Sequence, residues 1–168
     1  MRIRNPMIGL LAALYSAEVL LCQTLPACET RELSIRQNPP GIATGQLDYD
    51  FILTNRGNRV CTVSGYPAAT ALTKSGQVAK QVYFEHQPAM APEPDNLRIK
   101  VIRLRPGANA WFKITTRDGT GMEDLSLCGT ATQVEIAPPG SAQAFEKRFP
   151  FTACTEKQGI TFLLPGLP

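Results

Sequence analysis

The sequence predicts an all-β fold, an antiparallel β-sandwich of about eight to ten short strands. Three observations predict it. Apolar and polar residues alternate in several short runs, turn-forming residues separate these runs, and no run has the period of an amphipathic helix. Glycine (13) and proline (14) together make 27 of the 168 residues, whereas average proteins contain roughly 12% of these two types. This composition leaves little room for long helices.

The clearest strand lies in the first half of the chain. In residues 46–54 (QLDYDFILT), an apolar or aromatic residue recurs at every second position, from Leu47 to Leu53. This period of two predicts a strand with one buried face and one wet face. The other strands predicted in this half are residues 31–36, 60–63, 69–73 and 78–83, and the Pro-rich residues 85–97 are predicted to form a loop.

Short strands separated by turns also fill the second half. They are predicted at residues 99–104, 110–115, 132–137, 145–151 and 160–164, with a loop at residues 117–126. The strand at 99–104 is bordered and interrupted by four cations, Arg98, Lys100, Arg103 and Arg105. Charge of this kind is typical of an edge strand that resists aggregation, and a basic docking patch is the alternative. Trp111 is interpreted as a core residue rather than a platform for stacking a sugar.

The first 27 residues are predicted to be a signal peptide. Arg2 and Arg4 precede an apolar run at residues 7–17, which is too short for the ~20 residues of a membrane helix. We expect cleavage after Ala27, which leaves one domain of residues 28–168, either periplasmic or secreted. The alternative is a lipid anchor on Cys28, but Pro26 departs from the usual lipoprotein cleavage sequence.

The cysteine count agrees with this cleavage site. Of five cysteines, Cys22 leaves with the leader, so an even set of four enters an oxidising compartment: Cys28, Cys61, Cys128 and Cys154. No pair has the CxxC spacing of a zinc site, so two disulfides are predicted. Three pairings are open. We favour Cys28 with Cys61 and Cys128 with Cys154, because each pair closes a loop of about 25 to 35 residues.

One segment carries a resemblance to a known family. The residues TNRGNRVCTVSGYP resemble the motif TNxGxxxC(T)LxGYP of the domain of unknown function family 4232, and further similarities extend over nearly the whole mature chain. The resemblance implies an exported bacterial protein with an immunoglobulin-like β-sandwich and no established activity. The motif residues are Thr54, Asn55, Gly57, Cys61, Gly65, Tyr66 and Pro67.

The motif is interpreted as structural. Asn55 and Gly57 are residues typical of a turn, and Gly57 can adopt the positive φ that a turn requires. Tyr66 is expected to bury its ring while its hydroxyl reaches a backbone partner.

Any catalytic triad would have to use His86, the single histidine. No GxSxG nucleophile motif accompanies it, and the sequence DGTG at Asp118 has the wrong order, in a single copy, for an aspartic protease. We therefore predict that the protein is not an enzyme and has no cofactor. Two metal sites are alternatives. Copper would bind His86 and Met90, with Met122 as a further ligand, and calcium would bind Asp118, Glu123 and Asp124.

The charge balance excludes one class of partner. Lys and Arg number 17 against 14 Asp and Glu, a net charge of +3, which is low for binding a phosphate backbone. The function predicted is therefore that of an exported, non-catalytic binding protein of the bacterial cell envelope, with another envelope protein or surface component as partner. The alternative is a periplasmic copper-binding protein that uses His86 and Met90.

Overall fold

A computed structural model of the chain describes residues 25–43, 45–87, 98–119 and 125–168. The predicted leader up to residue 24 lies outside the described residues, and so do Met90, Met122, Glu123 and Asp124. No helix among the described residues has the length and apolar character needed to cross a membrane.

The described part of the chain contains one 3-10 turn and twelve strands. The turn is Thr30–Glu32, and the strands are β1 (Leu33–Gln37), β2 (Gly41–Ala43), β3 (Gln46–Asn55), β4 (Cys61–Val63), β5 (Ala68–Leu72), β6 (Tyr83–Gln87), β7 (Ile102–Leu104), β8 (Asn109–Arg117), β9 (Gln133–Ala137), β10 (Phe149–Pro150), β11 (Lys157–Thr161) and β12 (Leu164–Pro165). The predicted all-β class is confirmed.

The centre of the larger sheet is the antiparallel pair β3 and β8, which runs from Gln46 opposite Arg117 to Thr54 opposite Asn109. Both β1 and β2 lie along the other side of β3. Pro39 and Pro40 separate these two strands, because proline has no N–H to donate to the ladder.

On the far side of β8 lie β11 and then β12. Ile160 of β11 is opposite Ile114, whereas Leu164 of β12 is opposite Trp111. Between these two pairs, the β11–β12 segment therefore contains one more residue than β8. The extra residue makes a β-bulge, where the Thr161 hydroxyl accepts the Lys113 N–H at 2.9 Å.

β6 forms the edge of this sheet and is parallel to β11. The other strand pairs are antiparallel, so the predicted antiparallel arrangement is correct except at this edge.

The second layer consists of a three-stranded sheet, in the order β10-β9-β5, and a two-stranded sheet of β4 and β7. One apolar core joins them to the large sheet. Phe51 on β3 stacks on Phe112 on β8 at 5.1 Å between ring centroids, and Phe149 on β10 meets Phe51 edge-on at 5.3 Å. Alternate residues of β8 are buried, as a strand with one face on the core requires.

Several strand predictions were wrong in their limits. The strand predicted at residues 99–104 is Ile102–Leu104, and the one at residues 160–164 is split between Lys157–Thr161 and Leu164–Pro165. Residues 78–83 were predicted as a strand and residues 85–97 as a loop, but the strand is Tyr83–Gln87. Val78 makes only an isolated bridge with Leu72. The predicted strand at residues 145–151 is reduced to Phe149–Pro150.

Candidate functional site

The candidate site is a surface groove between two edge strands, β5 of the smaller layer and β6 of the larger sheet. It has a volume of about 330 Å³, at the lower end of the range for ligand pockets. We call it the β5–β6 groove. Its lining residues are Pro67, Ala68, Ala69, Thr70, Val82, Tyr83, Phe84, His86 and Ile160.

The chemistry of the β5–β6 groove is nearly neutral. The lining set contains no Asp, Glu, Lys or Arg. Phe84 and Ile160 connect the groove to the core, since Ile160 is buried and Phe84 packs on Phe151 with 5.7 Å between ring centroids. A groove of this kind suits an apolar or neutral polar group better than an ion, because nothing in its lining compensates a desolvated charge.

His86 lies in this groove and not in a loop, which corrects the sequence prediction. Its ring stacks on the Tyr66 ring with 3.9 Å between centroids and 4° between planes. The Tyr66 hydroxyl donates to the Gln87 carbonyl at 3.3 Å, and Phe162 meets the Tyr66 ring edge-on. Tyr66 thus reaches a backbone partner as expected, and it also fixes the face of the histidine.

The sequence contains a signal for this placement. The apolar Val82 and Phe84 are each followed by a more polar residue, Tyr83 and Glu85, which is a short period of two leading up to His86. The Pro-rich residues that follow led to a loop being predicted from residue 85, so this alternation was not assigned to a strand.

The backbone of β6 is open on the side away from β11. In a parallel pair, alternate residues of one strand bond to the other strand, and the Tyr83 N–H donates to the Glu156 carbonyl at 2.7 Å. Tyr83, Glu85 and Gln87 therefore direct their backbone groups to β11, whereas Phe84 and His86 direct theirs outward. Among the described residues, no backbone partner is found for Phe84 or His86 on that side.

The edge of β5 that faces the groove is also partly open. The Ala71 carbonyl on this edge accepts the Ala79 N–H, whereas the Leu72 carbonyl accepts the Thr132 N–H from the other side. Ala69, two residues before Ala71, directs its backbone to the same edge as Ala71. The groove is thus bordered by main-chain donors and acceptors on both sides.

The second half of the sequence motif forms one end of this groove. Gly65 has a φ of 98°, which a side chain rarely tolerates, and its carbonyl accepts the Leu163 N–H at 3.0 Å. This turn sends Tyr66 over His86 and buries Pro67 in the groove lining. Gly65, Tyr66 and Pro67 are therefore brought together with His86.

The first half of the motif lies elsewhere and joins two turns. The Asn55 amide donates to the carbonyls of Arg59 and Leu104 at 2.8 and 2.9 Å, and its Oδ1 accepts the Gly57 N–H at 2.8 Å. The Thr54 hydroxyl donates to Asn109 Oδ1 at 2.7 Å.

Gly57 does not have the positive φ that the sequence suggested. A Cβ there would lie 3.2 Å from Asn55 Oδ1 and 3.3 Å from Glu32 Cβ. Close packing, rather than backbone conformation, accounts for this glycine.

Both favoured disulfides are present, Cys28–Cys61 and Cys128–Cys154. The first uses the Cys28 sulfur that a lipid anchor would need, so the anchor and this disulfide exclude each other. The second packs against Gly119, where a Cβ would lie 3.1 and 3.2 Å from its two sulfurs.

The metal predictions concern residues that the structure covers only in part. His86 is described, but its proposed copper partner Met90 is not. Within the described residues, no group of three or more His, Cys, Asp or Glu is placed to hold a metal ion. Copper binding by His86 and Met90 therefore stays a prediction, and so does calcium binding at residues 118–124.

Glu85, on β6 between the groove residues Phe84 and His86, is paired with Lys157 on β11. Lys157 Nζ lies 2.7 Å from Glu85 Oε2 across the edge of the sheet, and the hydrogen bond to Glu85 raises the pKa of Lys157.

Trp111 joins a small apolar cluster of Tyr66, Phe162 and Leu164, separate from the main core.

A polar row on β3 and β8 lies apart from the groove. Burial alone would raise the pKa of Asp48, but hydrogen bonds from Lys113, Gln46 and Thr115 lower it. Lys113 Nζ is 2.8 Å from Asp48 Oδ2. Burial raises the pKa of Asp50, whose Oδ1 is buried without a hydrogen-bond partner among the described residues.

A family model matches most of the chain. The model of the family described as Domain of unknown function (DUF4232) matches residues 28–161. No curated protein matches the chain. No solved structure matches it either.

Proposed function

Because the chain belongs to the DUF4232 family, whose description assigns no activity, we propose a function from the β5–β6 groove: an exported, non-catalytic module that binds an extended polypeptide segment of an envelope partner. The segment pairs its backbone with the open edge of β6 and places a neutral side chain in the groove. Strand addition to a sheet edge is a recurrent mode of peptide recognition, in which main-chain bonds provide affinity and pockets provide specificity.

The observation that carries this proposal is the combination of an open strand edge with an uncharged groove. The outward backbone groups of Phe84 and His86 offer a ladder position, and the groove beside them is lined by small and apolar residues. The His86 ring is held in place by its stack on Tyr66. The side chains at this end of the edge therefore lose little conformational freedom when a ligand binds.

Two further features support binding over catalysis. A nucleophilic site needs a hydroxyl or thiol nucleophile held by a base within hydrogen-bond reach. The lining set includes Thr70, Tyr83 and His86, but no hydrogen bond joins the His86 ring to a hydroxyl among the described residues. The two disulfides support export, since disulfides persist in oxidising compartments.

The experiment uses the mature chain, residues 28–168, and a displayed library of random linear peptides. We expect the selected peptides to bind the wild-type chain and to lose at least tenfold in affinity to Ala68→Glu, which puts a charge in the groove. Gln77→Glu is the matched control, because it adds the same charge at an exposed turn outside the lining set. Equal losses in the two variants would contradict the proposal.

A second pair of variants isolates the backbone contact. His86→Ala removes the ring, whereas His86→Pro removes both the ring and the outward N–H. Proline is tolerated at the edge of a sheet, so both chains should fold. We expect His86→Pro to bind the same peptides more weakly than His86→Ala by about fivefold, the value of one hydrogen bond. Equal affinities would mean that no peptide pairs with β6.

A further inference from the structure

A second surface of the molecule combines positive charge with exposed aliphatic side chains. It follows the chain into and along β7 and consists of Arg98, Ile99, Lys100, Val101, Arg103 and Arg105, which we call the basic strip. All six residues are exposed, including Ile99 at 52% and Val101 at 69%. Ile102 and Leu104 point the other way and are buried in the core, so β7 holds the strip on the surface.

The charge of the basic strip is not neutralised by the described residues. None of its four cations is in an ion pair there, and residues 98–105 contain no acid. The neighbouring strand β4 contributes only Cys61, Thr62 and Val63. Arg59, in contrast, is paired with Glu32 and Glu29.

The aliphatic residues distinguish this strip from an ordinary solvated basic surface. Residues 98–101 precede β7 and are all exposed, and Arg103 faces outward on β7 because its neighbours Ile102 and Leu104 are buried, so the aliphatic residues and the cations belong to one exposed stretch. Any acidic surface satisfies the cations, but the exposed Ile99 and Val101 need an apolar contact as well. A bilayer of anionic lipids satisfies both kinds of side chain, because phosphates bind the cations while aliphatic groups enter the interfacial layer.

The strip also lies close to the point where the domain joins the predicted leader. The Thr62 N–H donates to the Pro26 carbonyl, and Ala27 pairs with Thr62 on one side while Arg103 pairs with it on the other. Two strand spacings, about 10 Å, therefore separate Ala27 from Arg103. Ala27 and the basic strip therefore lie on the same side of the domain.

We propose that the basic strip docks the domain on a membrane surface rich in anionic phospholipid. Arg98, Lys100, Arg103 and Arg105 bind the phosphates, and Ile99 and Val101 enter the interface. This docking is independent of the β5–β6 groove, which is bordered by β5 and β6.

The test is co-sedimentation of the mature chain with phosphatidylcholine vesicles, with and without phosphatidylglycerol. We expect binding only to vesicles with phosphatidylglycerol, weakening as salt is raised. Arg103→Gln with Arg105→Gln should reduce the affinity by about 25-fold, since each cation near an anionic surface is worth about fivefold.

Lys74→Gln with Lys80→Gln is the matched control. It removes the same charge from two exposed lysines outside the strip that form no described ion pair, and we expect it to change the affinity less than twofold. An equal loss in the two double variants would overturn the proposal, because net charge alone would then explain binding.

Val101→Ser separates a bilayer from an acidic macromolecule. We expect it to weaken vesicle binding by at least threefold, because a buried aliphatic group is lost, and to leave binding to heparin, a soluble polyanion, unchanged. Binding to heparin without binding to the vesicles would overturn the proposal in favour of an acidic partner. The melting temperature of each variant checks that the fold is intact, which is expected because the substituted residues are exposed.

Discussion

The Asn55 side chain forms three hydrogen bonds to the backbone of neighbouring turns. It is 1% exposed and bonds to the backbone of Arg59, Leu104 and Gly57. Its backbone also accepts from Gly107 and donates to Ala108. One side chain therefore joins the turn after β3 to the turn between β7 and β8, which explains its place in the motif in structural terms.

Replacing this side chain should be costly. We expect Asn55→Ala to lower the free energy of unfolding by about 2 to 4 kcal/mol, because two carbonyls and one N–H lose their partner in a buried place. Urea denaturation of the mature chain measures it. Asn58→Ala, at an exposed position of the same turn, is the control and should stay within about 0.5 kcal/mol of wild type. A similar value for Asn55→Ala would contradict the structural interpretation.

Asp48 and Asp50 should make opposite contributions to stability as the pH changes. Burial raises the pKa of Asp50, so its ionised form costs stability above that pKa, and the cost disappears as the pH falls through it. Asp48 has a lowered pKa, so it stabilises the fold above the ordinary value of 3.8, and this contribution is lost as the pH falls through its folded pKa.

The measurement is the melting temperature of two variants against pH. At pH near 7 we expect Asp50→Asn to melt above wild type and Asp48→Asn below it, since they remove a cost and a contribution respectively. Both differences should shrink on acidification, the Asp50 difference at the higher pH. A destabilised Asp50→Asn at neutral pH would show that Asp50 has a partner that stabilises its charge.

At the scale of the elements, the alternation of apolar and polar residues predicted the strands that have one face on the core. The alternation in residues 46–54 predicted β3 almost to its ends, because a strand packed on the core shows its period in its own residues. In the second half of β3, however, both faces are buried from Phe51 to Asn55, and Ile52 on the outer face lies opposite Trp111 of β8. Contacts with distant parts of the chain bury the second face, so the alternation within β3 does not predict this burial.

The pairing of β6 was even harder to predict from its own residues. Its partner β11 begins 74 residues later, at Lys157 opposite Tyr83. Because parallel strands are not joined by a hairpin turn, no turn signal in the sequence indicates this pairing. The residues of the candidate site come from separate elements: Tyr66 from the turn before β5, His86 from β6 and Ile160 from β11. Sequence reasoning identified Tyr66 and His86 separately, but only the fold brings them together.

At the scale of the whole molecule, the cysteines were the most informative residues. Four cysteines without metal-binding spacing gave a small number of pairings, and closing the shorter loops selected the pairs that the structure has. Each links the chain over 33 or 26 residues, for which the loop-entropy relation gives roughly 3.5 to 4 kcal/mol. The four cations of the basic strip were visible in the sequence, but the groove could not be predicted in this way, because it depends on which strand edges remain open after the layers have packed.

The leader, the disulfides and the lipid alternative can be tested together by intact mass. We expect the protein purified from an exporting bacterium to have the mass of residues 28–168 less four hydrogens, because two disulfides have formed. Alkylation after unfolding should modify no cysteine before reduction and four after it. Cys61→Ala is the control, since it frees Cys28 and should give one modified cysteine without reduction. An added acyl mass on the wild-type chain, together with a free Cys61 thiol, would replace the first disulfide by a lipid anchor, because the Cys28 sulfur forms only one of these bonds.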